Sequence, residues 1–331
     1  MQLELIQFFA LVCASVLLTG IVLAYLRRRA ILDHPNDRSS HETPTPRGGG
    51  LAVTAISLAA IAYHAIALDQ IDMIWLSAGV AVLAIVSWLD DLHSLSARLR
   101  LIVQFTAVAV TLPWLMQDGS ITGGWLPYWV EMPLAAIVWV GFINFFNFMD
   151  GIDGISGVEA ASIGLGLYCL SLVGVFGTPI NPGLIIAAAA IGFLVWNWHP
   201  ARIFLGDVGS IPLGFLLGGL LLQLAVAGYW APALILPLYY LTDAGVTLTR
   251  RLLRGEKVWE AHREHFYQVA VQAGHRHSGV SAAIALTNVI LIGLSVWSLD
   301  SPLLAILAAA GCVAVLIGWM HLSPRFKRRE A

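Results

Sequence analysis

Long apolar runs separated by short polar segments dominate the chain. Apolar windows of about 20 residues, the length that crosses a hydrocarbon core of roughly 30 Å, predict about eleven transmembrane helices. The predicted helices cover residues 4–26, 49–68, 73–90, 97–116, 132–149, 155–173, 184–198, 209–227, 231–249, 279–298 and 302–322. The polar segments between them are too short to bury cores of their own. We therefore expect an all-α, polytopic membrane helix bundle that forms a single domain over residues 1–331.

The basic residues indicate how these helices are oriented. With a periplasmic N-terminus, all 18 Lys and Arg residues fall in inner segments or at inner helix ends, as the positive-inside rule favours. The inner segments are 27–48, 91–100, 150–154, 199–208, 250–278 and the basic tail 323–331. The outer loops carry the acidic residues Asp69, Asp72, Asp118, Glu131 and Asp300. This pattern predicts a multi-pass membrane protein with a cytoplasmic C-terminus.

Composition supports a membrane protein. Hydrophobic residues make up 58% of the chain and charged residues 11%, whereas soluble domains carry about 25% charged residues. The three cysteines lie far apart inside apolar runs, which is typical of small buried side chains and not of a disulfide framework or a zinc site. The net charge of -2 indicates no particular partner, and we expect no nucleic acid among the partners.

Polar side chains gather at the inner ends of helices that are distant in sequence. Asp90 and Asp91 end the run LAIVSWLDDLHSL, where acidic charge opposes the helix dipole. A pair of solvated helix-end charges is the alternative interpretation. In NFFNFMDGIDG, the spacing of Asn144, Asn147, Asp150 and Asp153 would place all four on one side of a continuing helix. Since an apolar span has no need of such a stripe, this second group favours a functional site.

The segment NWHPARIFLGDVGS adds a third polar group at an inner helix end. Asp207 leads into the next helix, and a role as the N-cap of that helix is the alternative to a functional role. Capping does not account for Asn197, Arg202 and Phe204 just upstream. We therefore expect these four residues to contribute to one site.

The inner loop contains a fourth group, EAHREHFYQ, in which Arg263 can bind a phosphate bidentately and His265 follows two residues later.

Carboxylates gathered at one membrane face would repel each other by about 4 kcal/mol per pair at 4 Å and an effective dielectric near 20. Protonation, pairing with arginine or cation binding relieves that repulsion. Oxygen ligands in an aqueous site favour Mg²⁺, or Mn²⁺ as an alternative, over zinc. Because Mg²⁺ prefers phosphate partners, a nucleotide diphosphate is the expected substrate.

These four motifs, in this order between about Asp33 and Gln268, resemble the polyprenyl-phosphate N-acetylhexosamine-1-phosphate transferase family. That family includes the first enzymes of O-antigen, enterobacterial common antigen and teichoic acid synthesis, and the enzyme that makes lipid I is a relative. The resemblance implies transfer of an N-acetyl amino sugar-1-phosphate from a UDP-sugar to undecaprenyl phosphate, with release of UMP. It also implies a location in the bacterial inner membrane and a cytoplasmic active site that requires Mg²⁺.

The resemblance implies roles for the matching residues. The catalytic candidates are Asp90, Asp91, Asp150 and Asp153. The substrate-binding candidates are Asn147, Asn197, Arg202, Phe204, Arg263 and His265. The metal-binding candidates are Asp207 and Asn147. In the family, the positions of Asn197 and Phe204 cradle uracil, and those of Arg263 and His265 grip the diphosphate and the amino sugar.

One departure from the family leaves the donor sugar open. The family often continues RxHxHH, whereas Phe266, Tyr267 and Gln268 follow His265 here. The amino sugar is therefore either N-acetylglucosamine or a 6-deoxy sugar such as N-acetylfucosamine. A cation- or proton-coupled transporter is the competing hypothesis, with Asp243 as its nearest candidate residue, although transporters tend to place such charges near the midplane. A helix-end charge that pairs with Arg250 is the alternative interpretation of Asp243. The oligomeric state is open, with a homodimer among the alternatives.

Overall fold

The computed structural model describes residues 2–35, 43–117, 119–175, 181–258 and 262–322. Within these residues the chain forms thirteen helices and one small antiparallel sheet. The elements are α1 Gln2–Arg28, β1 Leu32–Asp33, β2 Thr45–Pro46, α2 Gly50–Ala67, α3 Ile71–His93, α4 Ala97–Leu115, α5 Tyr128–Phe148, α6 Ile155–Leu172, α7 Pro182–Asn197, α8 Asp207–Val226, α9 Trp230–Ile235, α10 Leu238–Leu253, α11 Phe266–Gln272, α12 His277–Trp297 and α13 Pro302–Leu322. The expectations for Asp118, for the tail 323–331 and for part of the first inner segment, 36–42, lie outside the described residues.

Each of the eleven predicted segments is helical, which confirms an all-α membrane bundle. Nine of the described helices are long and apolar enough to cross a membrane. The segment predicted at 184–198 is the shorter apolar helix α7. The segment predicted at 231–249 is broken into α9 and α10, because Pro237 has no amide hydrogen with which to continue the helix.

Helix α8 lies at the centre of the bundle, and nearly all of its side chains are buried. It packs against α3 and α5, while α6 packs against α7 and α12. Trp139 of α5 stacks on Phe215 of α8 with ring centroids 4.6 Å apart, and its indole Nε1 donates to the Phe215 carbonyl at 2.9 Å. A helix that is apolar on every side is suited to this position. The first residue of α8, Asp207, is therefore surrounded by the ends of other helices.

The segment before α2 is hydrogen-bonded to the segment before α8. The Phe204 amide donates to the Pro46 carbonyl at 2.8 Å, and the Gly49 amide donates to the Phe204 carbonyl at 2.8 Å. The Gly50 amide donates to the Leu205 carbonyl at the same distance of 2.8 Å. This pairing brings Arg47, which immediately follows β2, to the start of α8.

Candidate active site

Asp207 lies within a cluster of charged side chains at one end of the bundle. Arg47 Nη2 donates to Asp207 Oδ1 at 2.6 Å, and Arg100 Nη1 donates to Asp207 Oδ2 at 3.1 Å. Asn147 Nδ2 also donates to Asp207 Oδ1, at 3.2 Å. Three segments that are far apart in sequence thus direct donors at one carboxylate.

The adjacent residues Asp90 and Asp91 have different surroundings. Asp90 Oδ2 accepts from Arg100 Nη1 at 2.8 Å, and Asp90 Oδ1 accepts from the Leu95 amide at 2.6 Å. The Asp91 side chain is only 1% exposed. It accepts from Arg47 Nε at 3.0 Å and from the backbone amides of the first two residues of α8, at 3.2 and 3.0 Å. Asp90 therefore lines the cluster, while Asp91 caps α8.

Asp207 is the first helical residue of α8, and Gly206 occupies the N-cap position. The alternative that Asp207 serves as the N-cap is therefore wrong, because Asp91 supplies the capping carboxylate from α3. A carboxylate is favoured at this place by the unsatisfied amides and the positive end of the helix dipole. The Asp207 side chain is left to interact with the arginines.

A polar cavity of about 240 Å³ opens beside this cluster. It is lined by Arg47, Asp90, Ser94, Leu95, Arg100 and Asp207. The three clustered carboxylates, of Asp90, Asp91 and Asp207, carry three negative charges, and the two guanidinium groups carry two positive charges. One negative charge is left over, so the cavity can attract a cation while presenting guanidinium donors to phosphate oxygens.

Asn147 and Asp150 approach this cluster from the end of α5. Asn147 Nδ2 also donates to Ser210 Oγ at 2.8 Å, which links α5 to the first turn of α8. Helix α5 ends at Phe148, one residue from the predicted end at 149, so the predicted shared helix face does not extend to Asp153. The chain turns before α6, where Gly154 has a φ of 81°. Burial raises the pKa of Asp150 to about 7, although the Ser156 hydroxyl and Arg47 partly oppose the shift.

Because of this turn, Asp153 belongs to a second cluster. Asp153 Oδ2 lies 2.6 Å from His199 Nδ1, and Asp153 Oδ1 lies 3.3 Å from His277 Nδ1. Burial alone would raise the pKa of Asp153, but the hydrogen bonds to His277 and His199 outweigh it and lower the pKa. One potential ligand atom from each of the three side chains lies within 4.8 Å of the others, an arrangement that could also hold a metal ion.

Asn197 is the last residue of α7, and the loop between α7 and α8 contains Arg202 and Phe204. Asn197 is buried, and its side chain bridges two backbone groups, accepting from the Gly154 amide at 2.9 Å and donating to the Ile203 carbonyl at 2.9 Å. The Arg202 guanidinium lies over the Trp196 ring, 5.6 Å from the centroid. Asn197 therefore joins the turn that carries Asp153 to the loop that leads into α8.

The motif around His265 packs on a buried carboxylate. Asp243 Oδ1 lies 3.1 Å from His265 Nδ1, and Asp243 also accepts from the backbone amides of Phe266 and Tyr267, at 3.0 and 3.3 Å. The interpretation of Asp243 as a helix-end partner of Arg250 is wrong, since the Arg250 guanidinium lies over the Phe266 ring instead. His265 is 2% exposed. The carbonyl of Arg263 accepts from Gln272 Nε2 at 2.8 Å.

Comparison with known proteins identifies the family. The model of glycosyl transferase family 4 matches residues 73–225. The chain is 25% identical to the probable undecaprenyl-phosphate N-acetylglucosaminyl 1-phosphate transferase of Bacillus subtilis (strain 168), over 88% of this chain and 86% of that protein. It is 27% identical to the decaprenyl-phosphate N-acetylglucosaminephosphotransferase of Mycobacterium leprae (strain TN), over 94% and 88%. It is 32% identical to the phospho-N-acetylmuramoyl-pentapeptide-transferase of Synechococcus sp. (strain CC9605), over 67% and 70%.

The chain belongs to the polyprenyl-phosphate N-acetylhexosamine-1-phosphate transferase family. The residues matched by the family model include Asp90, Asp91, Arg100, Asn147 and Asp207 of the charged cluster. Arg47, Arg263 and His265 lie outside the matched residues. For a transferase of this family, the shared end of the bundle at which Asp90, Asn147 and Asp207 meet is the candidate active site.

The donor set of the cluster suits the Mg²⁺ that the transferase family implies. The Asp207 and Asp90 carboxylates and the Asn147 amide oxygen are hard oxygen ligands, which Mg²⁺ and Mn²⁺ prefer. The surplus negative charge beside the 240 Å³ cavity also favours a divalent cation. The residues present therefore fit the ion, with Asp207 and Asn147 as its closest candidates and Asp90 beside them.

Sequence reasoning did not assign site roles to Arg47, Arg100 and His277. Arg47 and Arg100 bridge the carboxylates of Asp90, Asp91 and Asp207, and His277 binds Asp153 from the start of α12. Arg47 stands in the run TPTPRGGG, whose glycines indicate a close backbone approach. Arg100 lies one turn into a helix near the Asp90–Asp91 pair, so its nearness in sequence was the available signal.

Proposed function

We propose that this protein transfers an N-acetyl amino sugar-1-phosphate from a UDP-sugar to undecaprenyl phosphate, releases UMP, and so starts a lipid-linked cell-surface glycan such as an O-antigen. The donor sugar is N-acetylglucosamine or a 6-deoxy N-acetylhexosamine such as N-acetylfucosamine. Family membership supports the reaction class. The site faces the cytoplasm of a bacterial inner membrane, which agrees with the distribution of basic residues along the sequence.

The observation that carries the proposal is the pair of arginines bridging Asp207 to its neighbours. Arg47 contacts Asp91 and Asp207, and Arg100 contacts Asp90 and Asp207. Both proposed substrates carry phosphate groups, and guanidinium groups bind phosphate oxygens through directed, charge-assisted hydrogen bonds. Positioning and electrostatic stabilisation supply most of the catalysis in phosphoryl transfer. A charged cavity at the end of a membrane bundle can supply both positioning and electrostatic stabilisation.

The chemical step is a displacement at phosphorus. An oxygen of the lipid phosphate attacks the β-phosphorus of the UDP-sugar and forms a new P–O bond, while the bond from that phosphorus to the oxygen bridging the α-phosphate breaks. UMP leaves with the bridging oxygen, and the lipid diphosphate sugar remains. The lipid phosphate is largely ionised at pH 7 because its second pKa is about 6, so the attack needs no general base. Asp90 would then position the attacking phosphate through Arg100.

Several residues would act on the diphosphate of the donor as UMP leaves. Asp207 and Asn147 would hold Mg²⁺, which when bound would supply positive charge to the donor diphosphate. Arg47 would stabilise the negative charge of that diphosphate with guanidinium hydrogen bonds. Asn147 is fixed for this role by Ser210, 2.8 Å from its Nδ2. Phe204 and Arg263 are proposed to contact the uridine and the sugar diphosphate, and Asn197 to shape the uridine pocket through its two backbone hydrogen bonds.

An apolar groove supports a polyprenyl acceptor. It has a volume of about 610 Å³ and runs between α5, α8, α9 and α10. Its wall includes the exposed side chains of Leu134, Val138 and Leu234. At one end of the groove lies Phe145, two residues before Asn147. A prenyl chain in this groove would bring its phosphate to the charged cluster.

A panel of donors tests the proposal. The purified full-length protein is incubated in lipid nanodiscs with undecaprenyl phosphate, Mg²⁺ and one of several UDP-N-acetylhexosamines, including the N-acetylglucosamine and N-acetylfucosamine donors. UMP release and the labelled lipid product are measured together. We expect equimolar UMP and lipid product with at least one donor. If no donor yields UMP while the protein remains folded, the proposed function is wrong.

A further inference from the structure

Tyr267 joins the inner loop to the turn that follows α5. The side chain is fully buried, and its hydroxyl donates a hydrogen bond to the Phe148 carbonyl at 3.2 Å. Phe148 is the last residue of α5 and directly follows Asn147, which donates to Asp207. The contact therefore spans 119 residues of sequence and ends one residue from the charged cluster.

The approach of Tyr267 to this turn is unusually close. A Cβ atom added to Gly151 would lie 2.1 Å from the Tyr267 hydroxyl oxygen and 3.0 Å from its Cζ. Only glycine at position 151 leaves room for the hydroxyl, and Gly151 directly follows Asp150. Tyr267 thus contacts both sides of the Met149–Asp150 dipeptide, through Phe148 before it and Gly151 after it.

Tyr267 is itself held in place at its own backbone. The buried carboxylate of Asp243 accepts from the Phe266 and Tyr267 amides, so Asp243 satisfies the N-terminal donors of α11. The His265 ring stacks on the Tyr267 ring with centroids 5.7 Å apart and lies 3.1 Å from Asp243. The Gln268 side chain accepts from the His265 amide at 3.3 Å. These contacts hold the backbone and the ring of Tyr267, and the hydroxyl at the end of the side chain contacts the turn after α5.

We propose that Tyr267 is a positioning residue for the transfer reaction, which holds the α5–α6 turn so that Asn147 and Asp150 keep their places beside Asp207. The inference rests on the proposed function. It also assigns a role to the inner loop: the motif around His265 sets the geometry of the charged cluster through Tyr267. A misplacement of about 1 Å at a reacting centre can cost about a hundredfold in rate, so a single hydroxyl at this distance suffices for a measurable effect.

The first test replaces Tyr267 by phenylalanine, which removes the hydroxyl and retains the ring. With the preferred UDP-sugar and undecaprenyl phosphate in nanodiscs, we expect kcat per folded enzyme to fall by about ten- to a hundredfold. KM for the donor should change less than about twofold, because the hydroxyl that is removed contacts the backbone carbonyl of Phe148 and no side chain proposed to bind the donor. Tyr229→Phe is the matched control, since Tyr229 is partly buried beside α9 and far from Asp207 in the fold. Its kcat should stay at the wild-type value.

A double variant tests the contact itself. Gly151→Ala alone should abolish most activity, because the new methyl group meets the Tyr267 hydroxyl at 2.1 Å. Tyr267→Phe removes that oxygen and leaves the ring carbon at 3.0 Å as the nearest atom. The double variant should therefore be more active than Gly151→Ala alone, although each single change lowers activity. Such rescue is the sign of direct coupling between the two positions.

The outcomes separate the inference from the proposed function. If the wild type transfers sugar phosphate and Tyr267→Phe keeps kcat within about twofold of it, Tyr267 has no positioning role. A loss of folded protein with unchanged kcat in the folded fraction would show a purely structural role and would also overturn the inference. If the Gly151→Ala variant does not fold, the kcat and KM of Tyr267→Phe still decide whether Tyr267 has a positioning role. If the wild type itself releases no UMP with any donor, the proposed function fails instead.

Discussion

The side chain of Asp91 accepts a hydrogen bond from the backbone amide of Asp207 at 3.2 Å. An acidic residue of α3 therefore caps α8, whose first residue is also acidic. The second oxygen of Asp91 accepts from the next amide, that of Val208, at 3.0 Å. The two adjacent aspartates of α3 therefore differ in what they bind. Asp91 binds the backbone of α8, and Asp90 binds Arg100 at the edge of the polar cavity.

This difference predicts opposite effects of matched substitutions. Asp91→Asn should lower the thermal unfolding midpoint more than Asp90→Asn, because the new NH2 group cannot accept from an α8 amide as the second Asp91 oxygen does. Loss of a whole helix cap costs about 1 kcal/mol. Asp90→Asn should lower activity at nearly unchanged stability, since the amide still accepts from the Leu95 amide but no longer binds Arg100 as an anion. Both quantities are measured on the same purified samples. Equal losses of stability in the two variants would contradict distinct roles.

Activity should require the guanidinium group of Arg47. Its Nε binds Asp91 at 3.0 Å and its Nη2 binds Asp207 at 2.6 Å, a two-point contact that the single ammonium group of lysine cannot reproduce. We expect Arg47→Ala to lower kcat by about a hundredfold, as with the loss of other transition-state donors, and Arg47→Lys to restore only part of it. Arg28→Lys, at the exposed end of α1, is the control and should behave like the wild type. Full activity of Arg47→Lys would rule out a bidentate role.

Asp150 should make stability depend on pH. Burial raises its pKa to about 7 in the folded protein, whereas an unfolded Asp has a pKa of about 4. Between these values the folded state retains a proton that the unfolded chain has released, so stability falls as pH rises from about 4 to about 7 and then levels off. Asp150→Asn removes this dependence.

The thermal unfolding midpoint of Asp150→Asn minus that of the wild type should therefore increase by a few degrees as the pH is raised from 5 to 8. The measurement belongs in chelator-containing buffer, so that bound cations do not shift the titration. Asp300→Asn, at the opposite end of the bundle, supplies the control. A midpoint difference that is constant over this pH range would show that Asp150 titrates normally.

The orientation of the bundle can be tested by chemical labelling. His93, at the end of α3, and Trp125, in the loop between α4 and α5, lie at opposite ends, and both are exposed. In a background without the three native cysteines, His93→Cys should react with a membrane-impermeant maleimide only from the cytoplasmic side. Trp125→Cys should react only from the periplasmic side. The reverse pattern would place the charged cluster outside the cell.

The sequence predicted the positions of the helices because hydropathy and length are local properties of the chain. It also predicted that Asp90, Asn147 and Asp207 meet, since alternating spans deliver every second helix end to one face. The break at Pro237 was missed because apolar residues continue on both sides of it. Which side chains pair could not be predicted: Arg47 and Asp207 are 160 residues apart, and their contact depends on how α2 and α8 pack.

The same limit explains the separation of Asp153 from Asn147. A spacing of three residues indicates a shared face only while the helix continues, and α5 ends at Phe148. The turn after α5 then directs Asp153 to His199 and His277 instead. The carboxylate at position 243 was singled out as a transporter candidate, but its partners, the His265 ring and the amides of α11, identify it as a support for the inner loop.

Single-turnover transfer in nanodiscs measures whether the Asp207 cluster transfers sugar phosphate to a lipid phosphate. Wild type and Asp207→Asn are compared at saturating donor, with UMP and labelled lipid measured and the folded fraction determined for both. We expect equimolar products with the wild type and a rate at least about a thousandfold lower with Asp207→Asn. A folded Asp207→Asn variant that transfers at a rate near that of the wild type would contradict transfer by the Asp207 cluster.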